Sequence, residues 1–192
     1  YEFYKKKSRE RREYVCFREF EKIIEVANKK EDYKYFDNKA LFNKTFSEFM
    51  GRKWINATKD TYEQFCELCA SNKKLFVKPV DGMCGRGAYM LEIGKEMDTE
   101  AVYKRLISEK AIVEEVVSQH NEIAEFNGSS VNTLRIVTML CADDTVKIMA
   151  AVIRLGRSGQ VVDNFHNYGI VALIDSETGI IKTTGVDRDF KR

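Results

Sequence analysis

Between Leu75 and Leu91 a short apolar run enters Pro79, the only proline of the 192 residues; three glycines follow within six positions and a second apolar run starts at once. Short apolar runs bounded by glycine and proline read as strands, so this stretch predicts strand, loop and strand. Gly82, Gly85 and Gly87 tolerate backbone conformations closed to other residues and let N–H groups approach a ligand closely. Successive exposed N–H groups form an anion-binding concavity, and Lys78 at the loop's entrance adds positive charge. The stretch reads as a cover for phosphate, against the plainer reading of a glycine hairpin with a surface lysine.

Other phosphate loops do not match. A Walker loop needs Gly-Lys-Ser/Thr and then a helix, whereas Gly87 leads into Ala88-Tyr89-Met90. The dinucleotide-binding fingerprint also opens a helix. In protein kinases the lysine follows the glycine loop; here it precedes it.

Composition sets the remaining bounds. The length suits one domain, or one domain with two lobes, and 44% hydrophobic with 32% charged residues is ordinary for a globular chain. A net charge of +2 does not call for a nucleic-acid partner, and none is expected. No apolar run approaches the roughly 20 residues of a membrane span. Five cysteines, an odd number at irregular spacing, argue against a disulfide framework and for a reducing compartment, hence the cytoplasm. Cys66 and Cys69 share a helical stripe with Tyr62 and Phe65 and lack a second pair at zinc spacing, so they read as core packing.

Periodicity gives an α+β chain. A long amphipathic helix is expected within 1–30, on Phe17, Phe20, Ile23, Ile24 and Ala27, with Lys5, Lys6, Lys7, Arg9, Arg11 and Arg12 on a solvated face. A second helix over 38–50 would be capped by Asp37 and stopped by Gly51, and a third, opened by Thr58 or Asp60, would end near residue 72. Strands follow at 75–79, 88–93 and 111–117, around a helix capped by Asp98 and running to about residue 108. A short helical segment near 120–126 precedes strands at 131–141, 146–155, 160–165, 170–174 and 180–183. The organisation expected is a helical lead over 1–73, a small lobe with the glycine loop over 74–115, and a mainly antiparallel lobe over 116–192.

Three further patterns carry chemistry. Glu114 and Glu115 are consecutive in a strand, so one of them must face inward. A buried carboxylate requires a partner, which Lys78 on a nearby strand or the polar groups of a nucleotide would supply. Arg135 and Arg154 sit inside strands; if Asp143 and Asp144 form a two-residue turn, Arg135 lies opposite Val152 and Thr133 opposite Arg154. Both arginines then lie on one face as diagonal neighbours, a natural clamp for phosphate or acyl-phosphate oxygens. Asn164 and His166, sharing a face at the end of a strand, form a polar cluster with Asp163 and Asn167.

Taken in order, these pieces resemble the ATP-grasp superfamily, and within it the sugar-transfer-associated branch found with polysaccharide biosynthesis. The pattern comprises Asp37-Asn38-Lys39, Val77-Lys78-Pro79 with the glycine loop, Val113-Glu114-Glu115, and Gln119-His120-x-Glu122. It continues through Val131-Asn132-Thr133-Leu134-Arg135, Ala150 to Arg154, Asp163-Asn164-Phe165-His166, and Ile174-Asp175 to Gly179. The later blocks are also similar to glutamate ligases that extend a carboxylate. The resemblance implies two α/β lobes with a nucleotide cleft between them, behind a helical N-terminal region. It implies ATP phosphates held by Lys39 and Lys78 under Gly82, Gly85, Arg86 and Gly87. Glu114, Glu115, Val116 and Val117 would form a hinge, with backbone at Val116 and Val117 reading adenine, and Glu122 would reach the ribose. Arg135 and Arg154 would stabilise the γ-phosphate or an acyl phosphate, with Asn164 and His166 towards the acceptor. The implied reaction activates a carboxylate with ATP for attack by an amine or another nucleophile, with saccharide-linked substrates among those the resemblance admits.

The resemblance also implies Mg²⁺, held by an Asp and a Glu-x-Asn at the end of the last core strands. After Asp175 only Glu177, Asp187 and Asp189 follow before Arg192, so the metal segment is expected beyond the end of this chain. The alternative is a catalytically incomplete nucleotide-binding or scaffold module.

Overall fold

The computed structural model describes residues 7–11, 15–82 and 85–191. Lys5, Lys6 and Arg12 of the basic start lie outside them, as do Met83 and Cys84 of the glycine loop. The chain divides into two compact units, 1–47 and 48–192.

The first unit is helical, with α1 (Ser8–Arg11), α2 (Phe17–Ala27), a 3₁₀ turn at Lys30–Asp32, α3 (Lys34–Asp37) and α4 (Lys39–Thr45). The expected stripe lies on α2, where Glu19 accepts the Cys16 N–H at 2.9 Å, but none of its residues is buried. Asn38, not Asp37, caps α4, accepting the Leu41 N–H at 2.9 Å; Asp37 is already spent as the last residue of α3. The helix expected to run to residue 50 breaks at Phe46 (φ −107°, ψ 32°) and resumes as α5 (Ser47–Met50), before Gly51 at φ +59°. Phe36, Phe42 and Phe46 cluster with ring centroids 4.8–6.1 Å apart.

The second unit holds two antiparallel sheets. One orders its strands β1-β4-β2-β3, with β1 (Trp54–Asn56), β2 (Lys74–Pro79), β3 (Tyr89–Glu92) and β4 (Ala111–Glu115). The other runs β5-β6-β7, with β5 (Thr133–Leu140), β6 (Val146–Leu155) and β7 (Ile170–Ile174). Helices α6 (Tyr62–Ala70), α7 (Thr99–Ser108) and α8 (Asn121–Ala124) complete it. The α+β class follows directly. Strand β1, inside the stretch read as helical lead, is too short to show alternation and joins the sheet by pairing Ile55 with Val113. The strand expected over 160–165 does not form; a 3₁₀ turn, Phe165–Asn167, takes its end. That expected over 180–183 is reduced to an isolated bridge between Ile181 and Ile174.

Capping explains where the helices start. Asp98 caps α7 as expected, accepting the Ala101 N–H at 2.9 Å. Thr61, rather than Thr58 or Asp60, caps α6 in a reciprocal pair with Gln64. Asp60 and Thr58 are engaged in the preceding turn, where Asp60 accepts the Asn56 N–H and Thr58 bonds the Asn56 side chain.

The first sheet sorts its residues by face. Leu75, Val77, Leu91, Ala111 and Val113 pack against Phe65, Leu68 and Cys69 of α6 and Leu106 of α7. Cys66 and Cys69 are free thiols, and burial, then the proximity of Cys66, pushes the Cys69 thiol up to about 11. The opposite face carries Phe76, Lys78, Met90 and Glu114, because partners across an antiparallel ladder share a face: Phe76 pairs with Glu114 and with Met90, and Lys78 with Ile112.

The β5–β6 hairpin reaches the expected register by an unexpected route. Thr133 does lie opposite Arg154 and Arg135 opposite Val152. The turn, however, runs from Cys141 to Thr145 with Asp144 left-handed (φ +60°), one residue longer than expected. A bulge between Val137 and Thr138, skipping Met149 on β6, restores the register at the far end.

Two stability predictions follow from this packing. Leu106 is fully buried between α7 and the sheet, so Leu106→Ala should cost about 2–5 kcal/mol in chemical denaturation. A Cβ on Gly169 would overlap the Asp163 carbonyl and stand 2.9 Å from the Asn164 carbonyl oxygen. Gly169→Ala should therefore cost about 1–3 kcal/mol through overpacking alone.

Candidate functional site

A cavity of about 410 Å³ opens beside the polar face of the first sheet, within the usual range for small-molecule sites. Its lining combines Phe76 and Lys78 of β2, Met90 of β3, Glu114 and Glu115 of β4, and Arg52 ahead of β1. Val116, Val117 and Gln119 continue the wall past β4, and Gly128 to Val131, Thr133 and Val161 to Asn164 complete it. All of these residues belong to the 48–192 unit.

Glu114 is the electrostatic centre of this wall. It is 2% exposed, and alternation along β4 turns it to the cavity face. Its Oε1 accepts from Lys78 Nζ at 2.7 Å, and its Oε2 from Arg52 Nε at 3.0 Å and Nη2 at 2.9 Å. Lys78 was expected as the partner; Arg52 was not. Glu115 turns towards the helices, accepting the Lys53 N–H at 2.8 Å and, more weakly, from Asn72 Nδ2 at 3.5 Å.

Asp163 makes a second buried carboxylate at the cavity, 6% exposed. One oxygen accepts from Arg154 Nη2 and the other from Thr133 Oγ1. Arg154 and Arg135 share a sheet face as diagonal neighbours, but the charge of Arg154 is matched by Asp163, where an anion between the two arginines was expected. The Nε of Arg154 is buried without a hydrogen-bond partner among the described residues. Arg135 is exposed on the same sheet face and does not line the cavity.

The remaining expected residues are placed as follows. Gly85 (φ +72°) brings the glycine loop against Asn164: a Cβ there would stand 2.7 Å from Asn164 Oδ1. Gly87 (φ +70°) and Gly82 fold back on Pro79, within 3.0 Å and 3.3 Å by the same measure, and Arg86 is exposed. Asn164 lines the cavity, but His166 does not share its orientation, because the 3₁₀ turn replaces the strand on which that pairing rested. His166 is exposed, and its carbonyl accepts from Arg188 Nη1 at 2.9 Å. Glu122 is exposed in the first turn of α8. Lys39 is the first residue of α4 in the 1–47 unit, half-buried.

Asn132 ties the far wall together without having been singled out. It is buried; its N–H donates to Gln119 Oε1 at 2.6 Å and its Nδ2 to the Ile123 and Asn127 carbonyls at 3.0 and 2.9 Å. Its Oδ1 accepts the Gly156 N–H at 3.1 Å. An asparagine beside a strand carries no sequence signal for such a role.

The donor set for a magnesium ion is not assembled among the described residues, where no three His, Cys, Asp or Glu side chains gather. The two buried aspartates are committed elsewhere: Asp163 to Arg154 and Thr133, and Asp187 to Arg157 and the Asp189 and Lys191 N–H groups. No helix among the described residues is long and apolar enough to cross a membrane.

No curated protein and no solved structure matches the chain. A family profile described as sugar-transfer associated ATP-grasp matches residues 20–190, covering the α4 start, the glycine loop, the Glu114 strand and the arginine hairpin in one span. The chain belongs to the sugar-transfer associated ATP-grasp family.

Proposed function

We propose that this chain binds ATP in the 410 Å³ cavity and serves an ATP-dependent ligation in sugar-related biosynthesis. The observation that carries the reading is the wall where Lys78 and Arg52 meet Glu114, set against the apolar side chains of Phe76, Met90, Val116, Val117 and Val161. Two cations converge on one carboxylate, and the Lys78 ammonium keeps donors beyond its bond to Glu114 that suit phosphates, while the apolar part suits a base. Family membership supports the same ligand.

In this reading Lys78 contacts the phosphates from the sheet, and Gly82, Gly85, Arg86 and Gly87 cover them. The backbone at Val116 and Val117 reads the adenine edge beside Glu114 and Glu115, and Glu122 serves the ribose. A substrate carboxylate oxygen attacks the γ-phosphorus, forming an acyl phosphate and releasing ADP. An amine or other nucleophile then attacks the acyl carbon, and inorganic phosphate leaves with the C–O bonding pair. Arg135 and Arg154 neutralise the charge on the transferring phosphoryl group, and Asn164 faces the acceptor. Such chemistry depends on positioning and charge rather than on a nucleophilic side chain. No magnesium donor set gathers among the described residues. That same observation favours a second reading, a module that binds nucleotide better than it turns it over.

Two measurements test the proposal. Charge-assisted hydrogen bonds contribute about 1.5–3 kcal/mol, so Lys78→Ala should weaken ATP binding by about ten- to a hundredfold in calorimetry. Unchanged affinity would sink the assignment. Arg135 is exposed, so Arg135→Ala should leave stability within about 0.5 kcal/mol and ATP affinity nearly intact. Its effect should fall on ligation turnover, and equal turnover in the variant would remove Arg135 from the chemistry.

A further inference from the structure

The network around Glu114 carries a role for Arg52 that rests on the nucleotide reading above and goes beyond it. Arg52 lies just after Gly51, on no regular element, yet its guanidinium is largely enclosed, with the side chain 24% exposed. It grips a single oxygen of Glu114 through two N–H donors, Nε at 3.0 Å and Nη2 at 2.9 Å, and its Nη1 reaches the Met50 carbonyl at 3.4 Å. This two-toothed hold fixes the position of that oxygen, as a rigid planar donor can and a flexible ammonium cannot. The other oxygen is left to Lys78 Nζ at 2.7 Å. An ammonium has three donors, so a single bond to Glu114 leaves others to turn into the cavity that Lys78, Arg52 and Glu114 all line.

The geometry gives the arrangement its consequence. With one oxygen of Glu114 held by Arg52, the other is a fixed acceptor for Lys78, whose ammonium is thereby aimed instead of free to swing. We propose that Arg52 is a positioning residue: through Glu114 it orients Lys78 towards the polyphosphate of a bound nucleotide.

The test compares ATP with adenosine, which lacks the phosphates, by calorimetry on wild type, Arg52→Met, Lys78→Met and the double variant. Arg52→Met should weaken ATP by about tenfold, in the range of coupled neighbours, and leave adenosine affinity unchanged. In the Lys78→Met background the same substitution should cost ATP much less, since the route through Lys78 is already gone. A merely structural role would weaken both ligands together, and that outcome overturns the proposal, as does full additivity in the double variant or unaltered ATP binding. Should Arg52→Met fail to fold, Arg52→Lys keeps a charge for Glu114 but loses the two-toothed grip. It should show the same selective loss for ATP, and equal losses for both ligands would again overturn the role. Wild-type protein that binds neither ligand would instead defeat the nucleotide reading, and this inference with it; wild-type binding with an indifferent Arg52 defeats the inference alone.

Discussion

A carboxylate buried in an antiparallel sheet obliges its surroundings to supply positive charge, because leaving it unpaired costs several kcal/mol. At Glu114 that obligation organises a wall. Lys78 answers it from the adjacent strand, two positions along the ladder, and Arg52 answers it from the connection ahead of β1. The short strand β1 then has a purpose beyond adding an edge: its pairing with β4 brings Arg52 within reach of the carboxylate. The same solution recurs across the cavity, where Asp163 is answered by Arg154 and Thr133. Both cation clusters are thus held in place by buried acids before any ligand arrives.

Pre-placed charge has an energetic meaning. Long basic side chains lose considerable rotamer freedom when a ligand fixes them. Anchoring Lys78 and Arg154 on Glu114 and Asp163 moves that ordering into folding, so that less of it opposes binding. The compensation differs between the two sides. Glu114 serves two cations, whereas Asp163 serves one, Arg154, whose buried Nε has no hydrogen-bond partner among the described residues.

How much of this could be read in the sequence depended on whether the cause was local. The Asp98 cap, the strand alternation at Glu114 and Glu115 and the glycine loop are local patterns, and each was legible. The pairing of Lys78 with Glu114 was legible too, because two adjacent strands and one buried charge leave few partners. Arg52 was not: it sits outside periodic structure, and only the three-dimensional pairing of β1 with β4 reveals it. The stretch 160–165 misled because its valines mimic a strand, while the tight approach of Gly169 to the Asp163 backbone bends the chain into a 3₁₀ turn. Thr58 and Asp60 looked like caps for α6 but were drawn into the turn at Asn56, a competition between neighbouring polar side chains that composition cannot rank.

The arginine hairpin met its expected register through two departures that cancel, a longer turn and a bulge at Met149. Its two ends are consequently insulated from one another. The outer rungs, from Thr138 to Leu140 against Val146 to Ile148, follow the geometry of the tip, while the inner rungs that carry Arg135 and Arg154 follow the bulge. The tip is free to drift in sequence without rotating the arginines off their face. A hairpin built this way separates the part of a protein that can vary from the part that must hold still.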